Sequence, residues 1–293
     1  MNSRSQIEGV IMPSYCIHVA HGLETLKLLR EFLNRPDNAA MKDTFRQKNP
    51  AAARAVLDGQ RKTWRKQFLA GLIFPDAAKR SDQVNALNLD RMMHYPENPA
   101  SYFKTPEMKT YLKEHSLDFN SPLYLGYALH LYLDIQYDAL LKGMFTIVEF
   151  SPDQWIVLFQ ENGIEVILKD GEFWKQIYED YTALNPYYIK KYQLSIECFA
   201  KPEMIKPTDA MQISWYQKLY HAMEQEVLIS ASNMIKKKPS SSRNPQTKLL
   251  NTEVLNALIH KAAVDFIEKY IISLLQASCI TPVPKPAAKR TPR

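Results

Sequence analysis

The sequence predicts an all-α fold, and three observations support that prediction. Apolar residues recur at helical spacing over long stretches of the 293-residue chain. Glycine is scarce, with 8 residues in the whole chain. Neither of the Gly-rich phosphate-binding patterns, GxGxxG and GxxxxGKS/T, is present. A nucleotide-binding α/β fold is therefore not expected.

The composition is that of an ordinary soluble globular protein, with 46% hydrophobic and 23% charged residues. The net charge of +6 is concentrated near the C-terminus, in Lys236–Lys238, Arg243 and the last residues of the chain. Such a region is either a solubilising tail or a contact for an anionic partner.

Three cysteines far apart in the chain give no disulfide framework and suit a reducing compartment. No Sec-type signal peptide and no run of eighteen apolar residues is visible, so no transmembrane segment is predicted. The sequence predicts a protein that is cytoplasmic, or exported without a Sec signal peptide.

The chain divides into four predicted parts. Residues 1–235 form an all-α domain, and 236–248 have the basic, Ser- and Pro-rich composition of a linker. Residues 249–278 form a C-terminal helix that packs on the domain, because its apolar residues keep helical spacing. Residues 279–293 are a Pro- and Lys-rich tail that should be disordered.

The first predicted helix covers about residues 22–34, and His18 and His21 lie just before it. A second helix starts at Asn49-Pro50 and runs towards Trp64. The piece FLAGLIFPD, residues 68–76, then ends a helix and leaves Asp76 on a turn. An acidic residue is not favoured there by the helix dipole, which makes Asp76 a candidate site residue.

Residues 77–120 are polar and interrupted by prolines, and His94 lies among apolar neighbours within them. The central helix follows at 121–142, starting from Ser121-Pro122. After it, a short helix is predicted at 153–162, another at 170–184, a third from Asn185-Pro186 and a fourth at 207–235. A last helix covers about 251–276.

The central helix carries the strongest functional signal. His130, Asp134 and Asp138 fall at i, i+4 and i+8, on one face of a helix that is apolar nearly all round. Buried carboxylates and imidazoles need compensation, and a divalent metal provides it. A simple His–carboxylate hydrogen bond or a solvated pair is the alternative explanation.

Four short pieces of the chain resemble the zinc-dependent phospholipase C family, which is related to the P1-type nucleases. They are MPSYCIH, FLAGLIFPD, the histidine of MMHYPE, and LGYALHLYLD, and they span residues 12–138. Their order and approximate spacing agree with the family. The second half of the chain matches only in being helical.

The resemblance implies a single helical domain with a metal cluster in a cleft between helices. Asp76, His94, His130 and Asp134 would hold the main Zn²⁺ ion, with Asp134 able to bridge to a second ion held by His18. Two or more ions are expected, and another divalent metal would suit the same ligands. Asp138 stands where many relatives carry a histidine, so it would be a substitute ligand, or that position would be lost.

The implied activity is phosphodiester hydrolysis by a phospholipase C-like enzyme, with metal-activated water as nucleophile and Asp76 or Asp138 as proton acceptor. A phospholipid headgroup is the favoured substrate. Peripheral membrane contact would come through Tyr95, Tyr102, Phe103 and the basic tail. Nucleic acid is the less favoured phosphodiester.

The alternative is a non-catalytic helical binding or effector module that retains a structural metal, or none. The aspartate at position 138 motivates this alternative. A nucleophile–base triad is not indicated, because no GxSxG sequence is present.

Overall fold

The computed structural model describes residues 14–60, 62–77, 94, 108–151, 154–159, 165–169, 172–201, 229, 231–232 and 247–280. Within them the chain is mostly helical, as the sequence predicts. The helices, in chain order, are α1 (Tyr15–Leu33), α2 (Ala39–Lys48), α3 (Pro50–Val56), α4 (Lys62–Gly71), α5 (Phe74–Ala77), α6 (Met108–Glu114), α7 (Pro122–Met144), α8 (Glu172–Lys191), α9 (Thr252–Phe266) and α10 (Ser273–Ile280).

Several predictions fall outside the described residues. These include most of the predicted helix 207–235, most of the linker, the C-terminal tail from residue 281, and the aromatic loop residues Tyr95, Tyr102 and Phe103. Asp138 lies in α7, but its side chain is outside the described part.

Helix α1 begins at Tyr15, so the predicted start at residue 22 was wrong. The cause is burial: every residue from Cys16 to Thr25 is buried, and this packing extends the helix towards its N-terminus. Ser14 is the N-cap residue of the helix, and its carbonyl accepts a hydrogen bond from the Ile17 N–H at 2.8 Å. His18 and His21 therefore lie inside α1, one turn apart.

The helical run predicted from residue 49 to Trp64 is also interrupted. The chain turns after Val56, and Gly59 takes a left-handed conformation with φ of 66°. Helix α4 then starts at Lys62, and the Trp64 indole N–H donates to the Phe119 carbonyl at 3.0 Å. This buried bond fixes α4 against the segment that precedes α7.

Helices α4 and α7 approach each other through two glycines. A Cβ at Gly71 would collide with the Leu123 carbonyl oxygen, and one at Gly126 would collide with the Phe68 carbonyl oxygen. Only glycine permits backbones to come this close. The crossing brings the end of α4, and the turn that follows it, beside the middle of α7.

The short helix predicted after Ser151-Pro152-Asp153 was wrong, because residues 154–159 form the middle strand of a three-stranded antiparallel sheet. Its strands are β1 (Phe145–Ser151), β2 (Gln154–Phe159) and β3 (Glu165–Lys169), in the order β1-β2-β3. Phe145 pairs with Phe159, and Gln154 pairs with Lys169. β-branched and aromatic residues dominate these strands, which favours strands over helix.

Helix α8 continues through Pro186, although the sequence predicted a new helix there. A proline inside a helix costs about 3 kcal/mol. Tyr181, Leu184 and Tyr188 are buried on both sides of it. Each such burial contributes about 1.5–3 kcal/mol, which outweighs the local cost.

The C-terminal helical region packs back on the body, and it runs from α9 through a π-helical segment, Ile267–Ile272, into α10. Asn251 caps α9 by accepting from the Val254 N–H at 2.9 Å. Just before it, buried Asp180 of α8 accepts backbone N–H bonds from Leu249 at 2.7 Å and Leu250 at 2.8 Å.

The core lies between α1, α4, α7 and α9, with α7 at its centre. Leu125, Leu129 and Leu133 of α7 are almost fully buried. None of the described helices is both long enough and apolar enough to span a bilayer. Two polar side chains of α7, His130 and Asp134, are buried in this same core.

Candidate metal centre

Five of the six predicted metal ligands come together in the core. They arrive from four places in the chain: His18 from α1, Asp76 from α5, His94 from an isolated described position, and His130 and Asp134 from α7. The side chains of His18, His94, His130 and Asp134 are 0% exposed, and that of Asp76 is 6% exposed. The cluster is therefore shielded from solvent except on the Asp76 side.

One set of donor atoms surrounds His94 and His130. Their Nε2 atoms are 3.3 Å apart. The His94 Nε2 lies 3.5 Å from Asp76 Oδ1, and the His130 Nε2 lies 3.1 Å from Asp134 Oδ2. In a tetrahedral zinc site with bonds of about 2.0–2.2 Å, neighbouring ligand atoms are about 3.3 Å apart. Asp76, His94 and His130 offer donor atoms that all lie within 4.8 Å of one another, as the ligands of one ion do.

The remaining carboxylate oxygens face the third histidine. His18 Nε2 lies 3.3 Å from Asp134 Oδ1 and 3.9 Å from Asp76 Oδ2. Each carboxylate therefore has one oxygen nearest the His94/His130 pair and its other oxygen nearest His18. Asp76 and Asp134 therefore each lie between His18 and the His94/His130 pair, and a second group of donor atoms within 4.8 Å of one another consists of His18, His130 and Asp134.

The orientation of the imidazole rings distinguishes the two sets. His94 and His130 have ring centres 5.4 Å apart, tilted by 52°. Rings that converge tetrahedrally on one zinc ion have centres about 5 Å apart. His18 and His130 are instead stacked at 3.7 Å and 10°, so these two rings lie side by side. Their donor atoms nevertheless lie within 4.8 Å of each other, together with an oxygen of Asp134.

The turn after α4 determines which nitrogen of His130 faces the cluster. The Nδ1 of His130 lies 2.8 Å from the Leu72 carbonyl oxygen, which can only accept a hydrogen bond. The Nδ1 therefore carries the proton and donates it, and the lone pair of the neutral ring is on Nε2. This is the usual support for a metal-binding histidine.

Several buried atoms of the cluster have no hydrogen-bond partner among the described residues. They include both ring nitrogens of His18 and both carboxylate oxygens of Asp134. An unpaired buried polar group costs about 1–3 kcal/mol, and more when it is charged. A bound cation would satisfy these atoms, so the donor set fits a divalent ion of the zinc type.

Electrostatics within the cluster keep Asp134 ionised. Burial by itself raises the pKa of this carboxyl group, but the His130 and His18 charges outweigh burial and lower it. Burial lowers the pKa of His130, whereas the Asp134 charge reverses that effect and raises it. Burial lowers the pKa of His18, with the His130 charge acting in the same direction. A metal ion would compete with the proton on His130.

His21 does not join the donor atoms, although the sequence left it as an alternative to His18. It is fully buried, but the metal-compatible groups found among the described residues contain His18, His130 and Asp134, or Asp76, His94 and His130. Asp138 follows Asp134 on α7, and its side chain lies outside the described residues.

Two contributors to the site could not be found from residue type. The Tyr15 hydroxyl donates to the Asp76 backbone carbonyl at 3.0 Å. The Leu72 backbone carbonyl orients His130. The tyrosine of MPSYCIH lies one turn before His18 in a helix, and that spacing is the one signal that could have indicated Tyr15.

In comparisons with models of known protein families, with characterised proteins and with solved structures, nothing matches this chain.

Proposed function

We propose that this protein is a metal-dependent phosphodiester hydrolase similar to the zinc-dependent phospholipases C. The observation that carries the proposal is the shared use of two carboxylates. Asp76 and Asp134 each have one oxygen nearest the His94/His130 pair and the other nearest His18. Paired metal sites about 3.5–4 Å apart are typical of phosphatases and nucleases.

The residues of the cluster would divide the work as follows. His94 and His130 would hold one ion with help from the two carboxylates, and His18 would hold another with the same carboxylates. Zinc would lower the pKa of water from about 15.7 towards about 7 and stabilise charge on a phosphodiester. Asp134, the more buried of the two cluster carboxylates, would contribute to both ions.

Asp76 is the better candidate for moving a proton. It is the only one of the five side chains with measurable exposure, 6%, so it lies nearest to the solvent side of the described cluster. A carboxylate in that position can accept a proton from the attacking water. The sequence predicts Asp138 as an alternative proton acceptor.

The substrate class rests on the sequence resemblance. A phospholipid headgroup is the favoured phosphodiester, and the basic C-terminal region would contribute about 1 kcal/mol per Lys or Arg at an anionic surface. Nucleic acid would draw on the same charges through phosphate contacts. Hydrolysis of phosphatidylcholine vesicles and of single-stranded DNA, compared at equal salt concentration, separates the two substrates.

Near-complete burial of the ligands favours a second candidate function. A metal enclosed by side chains that are 0% exposed could stabilise a binding module without turning over any substrate. That candidate predicts bound zinc, a melting temperature that depends on zinc, and no hydrolysis of any phosphodiester.

The experiment that tests the hydrolase is hydrolysis of bis(p-nitrophenyl) phosphate by the full chain with zinc. His130→Ala and Asp134→Ala should each lower kcat/KM by at least about 100-fold, since each removes a ligand. His115→Ala is the matched control, because His115 contacts Glu114 and lies outside the cluster. Unchanged rates in both cluster variants would overturn the proposal. Zinc binding without turnover in the wild type would favour the structural-metal candidate.

A further inference from the structure

Tyr15 lies directly behind one of the two shared carboxylates. Its hydroxyl donates a hydrogen bond to the backbone carbonyl of Asp76 at 3.0 Å, across 61 positions of sequence. Tyr15 opens α1 and His18 follows one turn later, so both side chains leave the helix on the same side. One turn of α1 therefore contacts the carbonyl of Asp76 and also provides the histidine that faces its side chain.

The helix that carries Asp76 cannot fix this side chain by itself. Helix α5 consists of the four residues Phe74–Ala77, with a proline among them. So short a helix has little stability of its own and depends on contacts from outside. The Tyr15 hydroxyl is such a contact, made to the residue whose carboxylate enters the cluster.

The contact between Asp76 and His18 is also the longest of the described contacts between a histidine and a carboxylate in the cluster. Asp76 Oδ2 is 3.9 Å from His18 Nε2, whereas Asp134 Oδ1 is 3.3 Å from the same nitrogen. Asp76 Oδ1 is closer to its own partner, with 3.5 Å to His94 Nε2. A small rotation of Asp76 would therefore withdraw its second oxygen from His18 before its first oxygen left His94.

We propose that Tyr15 is a positioning residue that holds Asp76 so that its second carboxylate oxygen reaches the second ion. The inference rests on the proposed function, because it assumes two bound ions. It goes beyond that function by separating the two ions: the first uses the Asp76 oxygen that lies closer to its histidine, and the second uses the more distant Asp76 oxygen and so depends more on the Tyr15 hydroxyl.

The expected effect is selective. Loss of a group that orients a metal ligand typically lowers metal affinity 10- to 100-fold. Tyr15→Phe removes one oxygen and keeps the ring. We expect it to weaken binding of the second zinc ion at least about tenfold and to change the affinity for the first ion much less, because Asp76 Oδ1 keeps the shorter contact, 3.5 Å to His94 Nε2.

The test is a calorimetric zinc titration of the full chain after chelator treatment. Wild type, Tyr15→Phe and Tyr132→Phe are compared, with melting temperatures measured in parallel. Tyr132 is the matched control, because it is buried on α7 and its ring packs against Phe266 and Tyr270. Selective weakening of the second binding event in Tyr15→Phe, with Tyr132→Phe like the wild type, supports the inference.

Three results would overturn it. Tyr15→Phe could bind both ions with wild-type affinity, or Tyr15→Phe and Tyr132→Phe could weaken the binding of both ions to the same extent. The third result is a wild type that binds one zinc ion or none. Hydrolysis of bis(p-nitrophenyl) phosphate by the same wild-type sample distinguishes the two failures. Zinc-dependent turnover with an unaffected Tyr15→Phe variant rejects only the role of Tyr15. A wild type with neither zinc binding nor turnover rejects the proposed function as well.

Discussion

At position 134 a fully buried carboxylate lies among three imidazole rings, 3.1 Å from His130, 3.3 Å from His18 and 3.7 Å from His94. Burial disfavours the charged form of a carboxyl group, yet the nearby histidines lower the pKa of Asp134. The ionised form that binds metals is therefore ready before any metal arrives. The cost of this arrangement is that both of its oxygens lack hydrogen-bond partners among the described residues.

His21 provides a prediction at this scale, on acid stability. Burial, and next the His18 charge, lower its pKa from 6.5 to about 3. Between these two values the unfolded chain binds a proton that folded His21 does not, so stability falls as pH falls from about 6.5 towards 3. The slope from this one residue is about 1.4 kcal/mol per pH unit.

We expect His21→Leu to remove that slope. The substitution replaces a buried imidazole, whose one described polar contact is with the Ala262 backbone, by an apolar side chain, so stability at pH 7.5 should change by about 1 kcal/mol or less. Urea unfolding of both proteins between pH 4.5 and 7.5, with chelator present, measures the difference. His18 is retained in both proteins, and parallel pH profiles would contradict the prediction.

Among elements, the crossing of α4 and α7 determines the position of the site. Gly71 and Gly126 allow the backbones to touch, and Leu72 follows immediately after α4. Its carbonyl accepts the His130 N–H and orients that ring. The distance between two helix backbones is thus linked directly to the direction of a metal ligand.

Gly126→Ala is the corresponding prediction. The new methyl group would collide with the Phe68 carbonyl, which belongs to α4 and cannot move aside as a flexible side chain could. Overpacking of this kind costs about 1–3 kcal/mol. We expect a loss of stability at the upper end of that range, measured by urea unfolding, and weaker zinc binding, because Leu72 shifts relative to His130.

Gly59→Ala is the control for this prediction. Gly59 has open space around it and a φ of 66°, so alanine there introduces backbone strain of about 1–2 kcal/mol without touching the helix crossing. It should leave zinc affinity unchanged. If both alanine variants bound zinc like the wild type, the proposed link between the helix crossing and the site would be wrong.

For the whole molecule, a metal in the core would connect elements that are distant in sequence. The donors come from α1, α5, α7 and the isolated position 94, so one ion can stabilise the packing of all of them. A ligand that binds the folded chain at 1,000 times its Kd adds about 4 kcal/mol of stability.

Removing the metal should therefore lower the melting temperature. At pH 7.5 we expect a chelator to lower Tm by about 10 °C, since about 2–4 °C correspond to 1 kcal/mol in a chain of this size. The effect should shrink at pH 5.5, because the Asp134 charge raises the pKa of His130 and protons then compete with the metal. Differential scanning calorimetry measures both values.

Two further results bear on this prediction. Added zinc should restore the original Tm, and His130→Ala should show no response to the chelator at either pH. A chelator effect of equal size in His130→Ala would place the stabilising metal elsewhere in the chain.

The sequence predicted the helical character of the chain and most of the candidate site. The placement of His130 and Asp134 followed from periodicity, because a spacing of four residues in a helix puts both on one face. Asp76 was predicted because its charge does not suit the C-terminal end of a helix. The structure instead places it in the first turn of α5, where a negative charge is favourable, so Asp76 lies in the cluster although the reason for predicting it was wrong. These signals depend only on nearby residues, so they can be identified without knowledge of the fold.

The errors arose where local signals conflicted with packing. Pro186 predicted a new helix, but the burial of Tyr181 and Tyr188 carries α8 through it. Ser151-Pro152-Asp153 predicted a helix start, but Ser151 ends β1 and pairs with Gln154 at the start of β2. Pairing and burial depend on partners elsewhere in the chain.

The sequence by itself thus determined which residues are candidate metal ligands and which of them share a helix face, since both depend on residue type and short spacing. Only the tertiary structure decided that Asp76 and Asp134 each turn one oxygen towards His94 and His130 and the other towards His18. It also chose His18 over His21, and it brought Tyr15 and Leu72 to the site through a hydroxyl and a backbone carbonyl. The physical reason is that donor directions depend on how helices cross, and contacts between distant residues determine that crossing.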